Sequence, residues 1–313
     1  MGVIKVIGVG GAGCNHVNRM MLRKLEAVEI IAANTDFKSL DKNFAFTKIR
    51  LGPVVCGDGK GSIGNPELGL AATKESAWEV KRQLFGADAV FVMAGLGGGT
   101  GTGATPEVAR LAKSAGVPFV AALVTLPFAF EGLVREEQAR KGLRTLRKEV
   151  DFMMVFPNER LNKMGEADCS FFKAFRLVDD RMVSFLAFFK DLFNDPQQRV
   201  QNLNDLKSLF PPEIGLWIGT VEGSSRPFET SCLSMAIVRP LMEDFSVDKA
   251  ETVWVHMATG NPMALEELDA VVEKLMVLFD GKKPKTRVST GIDEALGQGF
   301  KISIIAGKRR KPG

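Results

Sequence analysis

The stretch that most constrains this chain is a run of glycines and threonines between a predicted strand and a predicted helix. Apolar residues 89–93 are typical of a buried strand, and residues 106–112 are typical of a helix with proline near its first turn. Between them, five of the seven residues 97–103 are glycine and the other two are threonine. Glycine lets a backbone approach a ligand closely, and a helix start presents free N–H groups, so the pattern predicts a phosphate-binding loop.

A second glycine motif opens the chain. Gly8-x-Gly10-x-x-Gly13 follows a short apolar strand and precedes a predicted helix, and the next predicted strand ends at Asp36. This order satisfies the dinucleotide-binding fingerprint, with Asp36 where a ribose partner would sit. One interpretation is therefore an NAD-dependent enzyme. A dinucleotide-binding domain needs one phosphate loop, however, and this chain has two.

The order of predicted elements indicates two domains. Strands alternate with helices as far as residue 157, which predicts a parallel sheet with its ligand at the carboxyl ends of the strands. Residues 170–194 are apolar nearly all round a helix of about 37 Å, enough to cross between domains. A smaller unit of predicted strands and helices follows Pro211-Pro212, and residues 308–313 form a basic tail.

Composition excludes several classes of function. Of the 313 residues, 41 are basic and 37 acidic, so the net charge of +4 gives no reason to expect nucleic-acid binding. The four cysteines are widely spaced and form no Cys-x-x-Cys pair, which favours a reducing, cytoplasmic compartment and argues against a zinc site. Of the two histidines, His16 is interpreted as an isolated core or surface residue. No apolar run reaches membrane length.

The glycine–threonine run resembles the signature loop of the tubulin/FtsZ family of GTP-binding filament proteins, and no Gly-Lys-Ser/Thr follows it as in a P-loop. The resemblance covers residues 2–307 and implies an α/β fold: a parallel Rossmann-like GTP-binding sheet, a long central helix and a smaller α+β C-terminal domain. The implied boundaries are 1–169 for the GTP-binding domain, 170–194 for the central helix, 195–211 for a catalytic loop and connector, and 212–307 for the C-terminal activation domain.

The resemblance also implies a set of GTP-binding residues. The phosphate loops would contain Gly10, Gly11, Ala12, Gly13, Cys14, Asn15, Asn34, Asp36, Gly97, Gly98, Gly99, Thr100, Gly101 and Thr102. Pro127, Glu131 and Arg135 would face the ribose or phosphates, and Asn158 would touch the base. Phe175 and Asp179 are one helical turn apart, so the ring could stack on guanine while the carboxylate accepts from N1–H and the exocyclic amine.

The family pattern after the central helix is Asn-x-Asp-x-x-Asp, and here the matching positions are Val200, Asn202 and Asp205. In the family this segment completes the active site of the next subunit. Asp205 is therefore expected to polarise the attacking water, and Asn202 to position it by hydrogen bonding, although an amide cannot accept a proton. The cofactors implied are GTP/GDP and Mg²⁺, and the partners are further copies in a head-to-tail homopolymer, another FtsZ-like protein, and a membrane adaptor.

Three hypotheses follow. The leading one is an FtsZ-like GTPase that polymerises for cell or organelle division and hydrolyses GTP at the subunit interface. The second is a weakly or non-hydrolysing regulatory paralogue that co-assembles with or caps filaments, because one carboxylate is lost and residues 60–66 depart from the family's pattern. That departure leaves open whether the segment senses the terminal phosphate. The third is the NAD-dependent enzyme.

Overall fold

The computed structural model describes residues 2–22, 28–57, 59–160, 171–193, 199–224, 249–277, 279 and 283–309. The chain divides into two compact units, Met1–Val183 and Ser184–Gly313. The predicted fold class is confirmed: one unit is built on a parallel sheet and the other on a smaller mixed sheet. The division falls within the predicted central helix, and the finer boundaries inferred from the sequence stay predictions.

The first unit contains a six-stranded sheet. Its strands are β1 (Ile4–Val9), β2 (Val28–Asn34), β3 (Thr47–Arg50), β4 (Ala89–Gly95), β5 (Phe119–Leu126) and β6 (Phe152–Pro157). Their order is β3-β2-β1-β4-β5-β6, and all the pairings are parallel. The direction of the chain through the sheet therefore switches between β1 and β4, where open α/β sheets bind their ligands.

The central strands are apolar throughout because helices cover both faces of a parallel sheet. In β4, residues 89–94 are all buried, and β5 is buried from Phe119 to Thr125. The helices are α1 (Gly10–Leu22), α2 (Phe37–Asp41), α3 (Pro66–Glu75), α4 (Ala77–Leu84), α5 (Gly99–Ser114) and α6 (Leu133–Arg147). The short strand β3, at the edge of the sheet, lies in a region where the sequence pattern predicted no strand.

The start of α5 differs from the prediction. The helix begins at Gly99 within the glycine run, so Pro106 lies inside it and not in its first turn. The glycines of this first part of the helix allow close packing: a Cβ at Gly101 would lie 2.1 Å from the Gly95 carbonyl oxygen, and one at Gly103 would lie 1.8 Å from that of Pro66. Helical turns can approach the neighbouring backbone this closely only without side chains.

The sequence pattern predicts one helix from about Pro66 to Leu84, but the structure has two helices there. Ser76 separates α3 from α4, and its hydroxyl accepts a hydrogen bond from Gly52 N at 3.0 Å and donates to Arg50 O at 3.2 Å. These partners lie 24 and 26 positions earlier in the chain. The break at Ser76 therefore coincides with hydrogen bonds to distant residues, which apolar periodicity does not reveal.

Helix α7 (Phe171–Phe193) matches the predicted central helix and carries the division between the units. The second unit has α8 (Arg199–Leu209), α9 (Leu265–Val277), β7 (Ile214–Gly223), β8 (Thr252–Thr259), β9 (Lys285–Ile292) and β10 (Phe300–Arg309). The sheet order is β7-β10-β8-β9, with β10 antiparallel to both its neighbours and β8 parallel to β9. The sequence pattern also predicts a helix near residues 229–242, and these positions lie outside the described residues. Within the described ranges, no helix combines the length and hydropathy that crossing a membrane requires.

Candidate functional site

A cavity of about 820 Å³ lies at the carboxyl ends of the strands of the first unit. Its walls come from the segments that follow each of the six strands, β1 to β6, and from one residue of α7, Asp179. Since this is where the strand order switches direction, the topology alone accounts for a ligand site here.

Two helices begin at this cavity. Gly11 and Ala12 in the first turn of α1, and Gly99, Thr100 and Gly101 in that of α5, all line it. Helix α5 is preceded by Gly98, which has no side chain to cap the free N–H groups. Both first turns are free of carboxylates, so the unpaired N–H groups and the positive ends of two helix dipoles are available to an anion.

Hydroxyl groups connect three parts of the cavity wall. Thr35 Oγ1, directly after β2, lies 2.6 Å from Thr100 Oγ1. Ser62 Oγ, from the segment between β3 and α3, lies 2.9 Å from the same Thr100 oxygen. The three side chains are buried, so each hydroxyl depends on the others for hydrogen bonding.

The far wall carries a buried carboxylate, Asp179, which is 4% exposed. His16 Nδ1 lies 2.5 Å from Asp179 Oδ1, and Arg19 forms an ion pair with Oδ2. Both partners belong to α1, and all three residues line the cavity. The carboxylate is thus oriented from one side while its remaining lone pairs are free to accept from a ligand.

Other polar side chains surround the opening. Glu131 and Arg135 form an ion pair at 2.5 Å, and Glu131 also accepts from Phe128 N at 2.9 Å. Asp36 accepts from Ser39 N at 3.0 Å and so caps α2. Asn158 is buried, and its Oδ1 has no hydrogen-bond partner in the described parts of the chain. A ligand donor would satisfy this oxygen.

The structure brings most of the predicted binding residues together. Those that line the cavity are Gly11, Ala12, Asn15, Asn34, Asp36, Gly98, Gly99, Thr100, Gly101, Pro127, Glu131, Arg135, Asn158 and Asp179. The side chain of Phe175 lies outside the described residues, and the predicted stacking of its ring stays a prediction.

Five predicted residues do not line the cavity, and they shape its wall instead. Gly10 has φ +72° at the turn between β1 and α1, and a Cβ at Gly13 would lie 2.3 Å from Met93 O. Gly97 N donates to Thr102 Oγ1 at 2.8 Å, which closes the turn before α5. Cys14 Sγ is directed to the backbone oxygens of Gly8 and Ala33, and burial raises the pKa of this thiol to about 12.

The two predicted catalytic residues lie in the second unit, on α8 and not on a loop. Asp205 is partly exposed and pairs with Arg287 of β9, at 3.1 Å from Nε to Oδ2. Asn202 is 3% exposed, and its Nδ2 donates to the Leu192 carbonyl at the end of α7. The structure therefore gives Asn202 a contact within the second unit, and its predicted role in positioning a water stays a prediction.

The sequence analysis missed His16 and Arg19, and it gave Ser62 no role beyond its place in the segment 60–66. His16 was interpreted as isolated, yet it lies four residues after Ala12 and three before Arg19, on the helix face that starts at the phosphate loop. That spacing was a usable signal. For Ser62, by contrast, the pairing with Thr100 spans 38 residues and leaves no local pattern.

Comparisons with known proteins agree with this site. The sequence model of the tubulin/FtsZ family GTPase domain matches residues 3–166, and that of the FtsZ family C-terminal domain matches residues 214–308. The chain is 36% identical over 307 residues to the cell division protein FtsZ of Pseudomonas aeruginosa, covering 97% of this chain and 76% of that protein. It is 37% identical over 305 residues to the cell division protein FtsZ 1 of Thermococcus kodakarensis, covering 96% and 79%.

Solved structures share the fold over nearly the whole chain. An empty FtsZ dimer from M. jannaschii superposes with a TM-score of 0.77 at 32% identity, covering 98% of this chain and 88% of that one. CetZ2 from Haloferax volcanii, a GTPγS-bound protofilament, gives 0.77 at 22% identity, covering 99% and 94%, and supports the fold alone. The matches do not favour the NAD-dependent enzyme or the regulatory paralogue. The chain belongs to the tubulin/FtsZ family and is an FtsZ-like, filament-forming GTPase.

Proposed function

We propose that GTP binds in the cavity of the first unit, with its phosphates over the starts of α1 and α5 and its base against Asp179. The observation that carries the proposal is that two helix starts without carboxylates and the buried carboxylate of Asp179 line the same cavity. The helix starts stabilise an anion, and the carboxylate accepts hydrogen bonds from a ligand with N–H donors.

Asp179 accounts for a preference for guanine. Its two oxygens can accept from N1–H and the exocyclic amine, and adenine does not offer that pair of donors on the same edge. Without these two hydrogen bonds, the buried carboxylate would have no donor on the side of the ligand. The nucleotide would then bind more weakly by about 1–3 kcal/mol. Asn158 Oδ1, buried and without a partner in the described chain, supplies a further acceptor for the base or ribose.

Hydrolysis is proposed to occur at the contact between head-to-tail subunits, where Asp205 of one copy completes the site of the next. A carboxylate there orients water for in-line attack on the terminal phosphate, and the amides of the first turn of α5 stabilise the developing charge. Asp205 is partly exposed, as this role requires, and Arg287 holds it at one side. Asn202 is left out of the mechanism because its amide is buried against Leu192.

Magnesium fits the oxygen-rich wall of the cavity. Thr35, Ser62 and Thr100 supply hydroxyls, and Asp36 supplies a carboxylate. Mg²⁺ is commonly held by substrate phosphates, waters and one or two protein oxygens rather than by a cage of side chains. In keeping with this, the described residues contain no cluster of three His, Cys, Asp or Glu side chains. When bound, the ion would neutralise charge on the phosphates.

The cellular role is proposed from the relatives. Two curated relatives are named cell division proteins. This chain is accordingly proposed to form cytoplasmic filaments of its own copies for cell or organelle division, alone or with another FtsZ-like protein, and to reach a membrane through an adaptor.

The test has two parts. Calorimetric titration should show GTP bound about 10- to 100-fold more tightly than ATP, from the energy of the base contacts. GTP turnover, measured against protein concentration with light scattering to follow assembly, should rise more steeply than linearly. Equal binding of ATP would contradict the proposed base contacts, and strictly proportional turnover would contradict the shared site. Assembly without turnover would instead favour the regulatory paralogue.

A further inference from the structure

His16 holds the cavity's buried carboxylate in place. The imidazole is 5% exposed and lines the cavity from the first half of α1. Its Nδ1 lies 2.5 Å from Asp179 Oδ1, across 163 positions of the chain. Because a carboxylate only accepts, Nδ1 must carry the proton and donate.

The other ring nitrogen argues against a purely structural role. His16 Nε2 is buried, and no hydrogen-bond partner for it exists among the residues that the structure describes. Buried polar atoms in protein cores are nearly always paired, and an unpaired one needs an explanation. The ring thus gains its one hydrogen bond from Asp179 and leaves its second nitrogen unsatisfied.

Asp179 needs more than one anchor to present both oxygens to a base. Arg19 contacts Oδ2, while His16 contacts Oδ1. Rotation about the Cβ–Cγ bond moves both oxygens together, and this torsion is broad and weakly restrained, so a contact at Oδ1 in addition to that at Oδ2 narrows the range of planes that the carboxylate can adopt. The two contacts together fix the plane of the carboxylate and direct its free lone pairs.

We propose that His16 is a positioning residue for guanine recognition: its Nδ1–H fixes the plane of the Asp179 carboxylate so that both N1–H and the exocyclic amine of the base are read at once. This inference rests on the proposed binding of guanine by Asp179. It adds that the discrimination depends on a side chain that does not itself need to touch the base.

The consequence is a specific change in selectivity. ITP keeps N1–H but lacks the exocyclic amine, so the ratio of GTP to ITP affinity measures whether the second contact is made. A correctly held carboxylate favours GTP because it pairs with both donors. A carboxylate that turns loses the second contact, and the preference for GTP over ITP then disappears while binding of the phosphates continues.

A matched pair of variants tests this. In His16→Asn, the side-chain amide can place a donor near the position of Nδ1. The leucine of His16→Leu branches at the same carbon as asparagine but has no donor. Binding of GTP, ITP and ATP would be measured by calorimetry for the unmutated protein and both variants. We expect His16→Leu to reduce the GTP-to-ITP affinity ratio at least 5-fold, and His16→Asn to keep it within about 2-fold.

The outcomes separate the two proposals. If the unmutated protein binds GTP and ATP equally, guanine recognition by Asp179 fails and the role of His16 fails with it. If it prefers GTP but His16→Leu leaves the GTP-to-ITP ratio unchanged, or lowers both affinities equally, only the role of His16 is overturned.

A second measurement needs no variant at His16. The chain has only two histidines, so the nitrogen signals of ¹⁵N-histidine-labelled protein can be assigned with His256→Gln as reference. We expect a proton on Nδ1 of His16 in the unmutated protein. An unprotonated Nδ1 would overturn the proposal even if His16→Leu fails to fold.

Discussion

The side-chain oxygens of Thr35 and Thr100 lie 2.6 Å apart, although the residues are 65 positions apart in the chain. Ser62 Oγ lies 2.9 Å from the same Thr100 oxygen. Through these contacts the end of β2, the segment before α3 and the first turn of α5 are joined by one chain of hydroxyls. Residues 60–64, whose counterpart senses the terminal phosphate in the family, are thereby tied to the helix start that we propose binds phosphate.

This tie predicts a selective effect of Ser62→Ala. Because the hydroxyl connects residues 60–64 to Thr100, its loss should free that segment from the phosphate-binding helix. We expect affinity for GTPγS to fall about tenfold, the equivalent of one hydrogen bond, while affinity for GDP changes less than about twofold. Calorimetry on both nucleotides measures the difference. Ser39→Ala, which removes an exposed cavity hydroxyl on α2, is the control and should affect the two nucleotides alike. An equal loss for both nucleotides in Ser62→Ala would contradict the prediction.

The glycines of the signature loop should separate into two classes. Apart from its chain neighbours, a Cβ at Gly98 would have no atom of the described residues within 4 Å, whereas one at Gly101 would lie 2.1 Å from Gly95 O. Gly98→Val should therefore fold normally and lose nucleotide binding by at least about tenfold, because the side chain occupies cavity space needed by phosphate. Gly101→Ala should lower the free energy of unfolding by about 3 kcal/mol through overpacking.

Urea unfolding and nucleotide titration on the same two variants distinguish these effects. A Gly98→Val protein that binds GTP normally would show that phosphate does not approach this part of the loop. A Gly101→Ala protein of unchanged stability would show that the first turn of α5 can move away from β4.

Much of the fold could be predicted because its signals are local. Alternating apolar strands and helices specify the parallel sheet, since strands buried on both faces are apolar throughout. The site could be located for the same reason, because glycines at a strand-to-helix junction need no distant partner to be recognised. Asn158 and Asp179 were added by family resemblance, and both line the cavity.

The features that were missed depend on contacts between distant residues or on single hydrogen bonds. His16 gains its role from Asp179, 163 positions away, and nothing near it in the sequence indicates that partner. The break at Ser76 depends on Gly52 and Arg50. The early start of α5 depends on how closely Gly101 approaches Gly95. Apolar periodicity carries none of this information.

Acid should destabilise the second unit through His256. Its Nδ1 lies 2.9 Å from Ser289 Oγ, which also accepts from Trp254 Nε1, and burial, with a smaller effect of Lys301, lowers the pKa of His256 to about 4. Between about pH 6.5 and 4 the unfolded chain binds a proton that the folded chain does not, so stability is lost as the pH falls through this range. We expect this histidine to reduce the free energy of unfolding by about 2 kcal/mol between pH 7 and pH 5.

His256→Gln provides the comparison, because glutamine does not titrate while every carboxylate is retained. Urea unfolding of both proteins at several pH values should give a flatter dependence for the variant between pH 5 and 7. Equal slopes in the two proteins would mean that His256 is protonated as easily when folded as when unfolded.

A further prediction concerns GTP hydrolysis and compares Asp205 with its neighbour Asn204 on α8. Asp205 lies within the helix, which begins at Arg199, so it does not cap the helix start, and its exposed part is available to another subunit. Asp205→Asn should lower GTP turnover by about 100-fold, the scale of a positioned acid–base group, and leave GTP binding by the monomer unchanged. Asn204→Ala, at an exposed position beside it, is the control and should turn over GTP normally.

Asn202→Asp should not raise GTP turnover, although the family pattern alone suggests that it would. The pattern predicts that restoring the carboxylate raises turnover, but Asn202 Nδ2 donates to Leu192 O inside the second unit. A carboxylate there would bring an anion against a carbonyl oxygen, and a buried unpaired charge is strongly unfavourable. We therefore expect a loss of stability of about 2 kcal/mol or more and no gain in turnover per assembled subunit.

Turnover should be measured above the assembly concentration and unfolding on the monomer, so that rate and stability are read separately. Faster hydrolysis by Asn202→Asp at unchanged stability would mean that this side chain leaves Leu192 and reaches the nucleotide of the next subunit when filaments form.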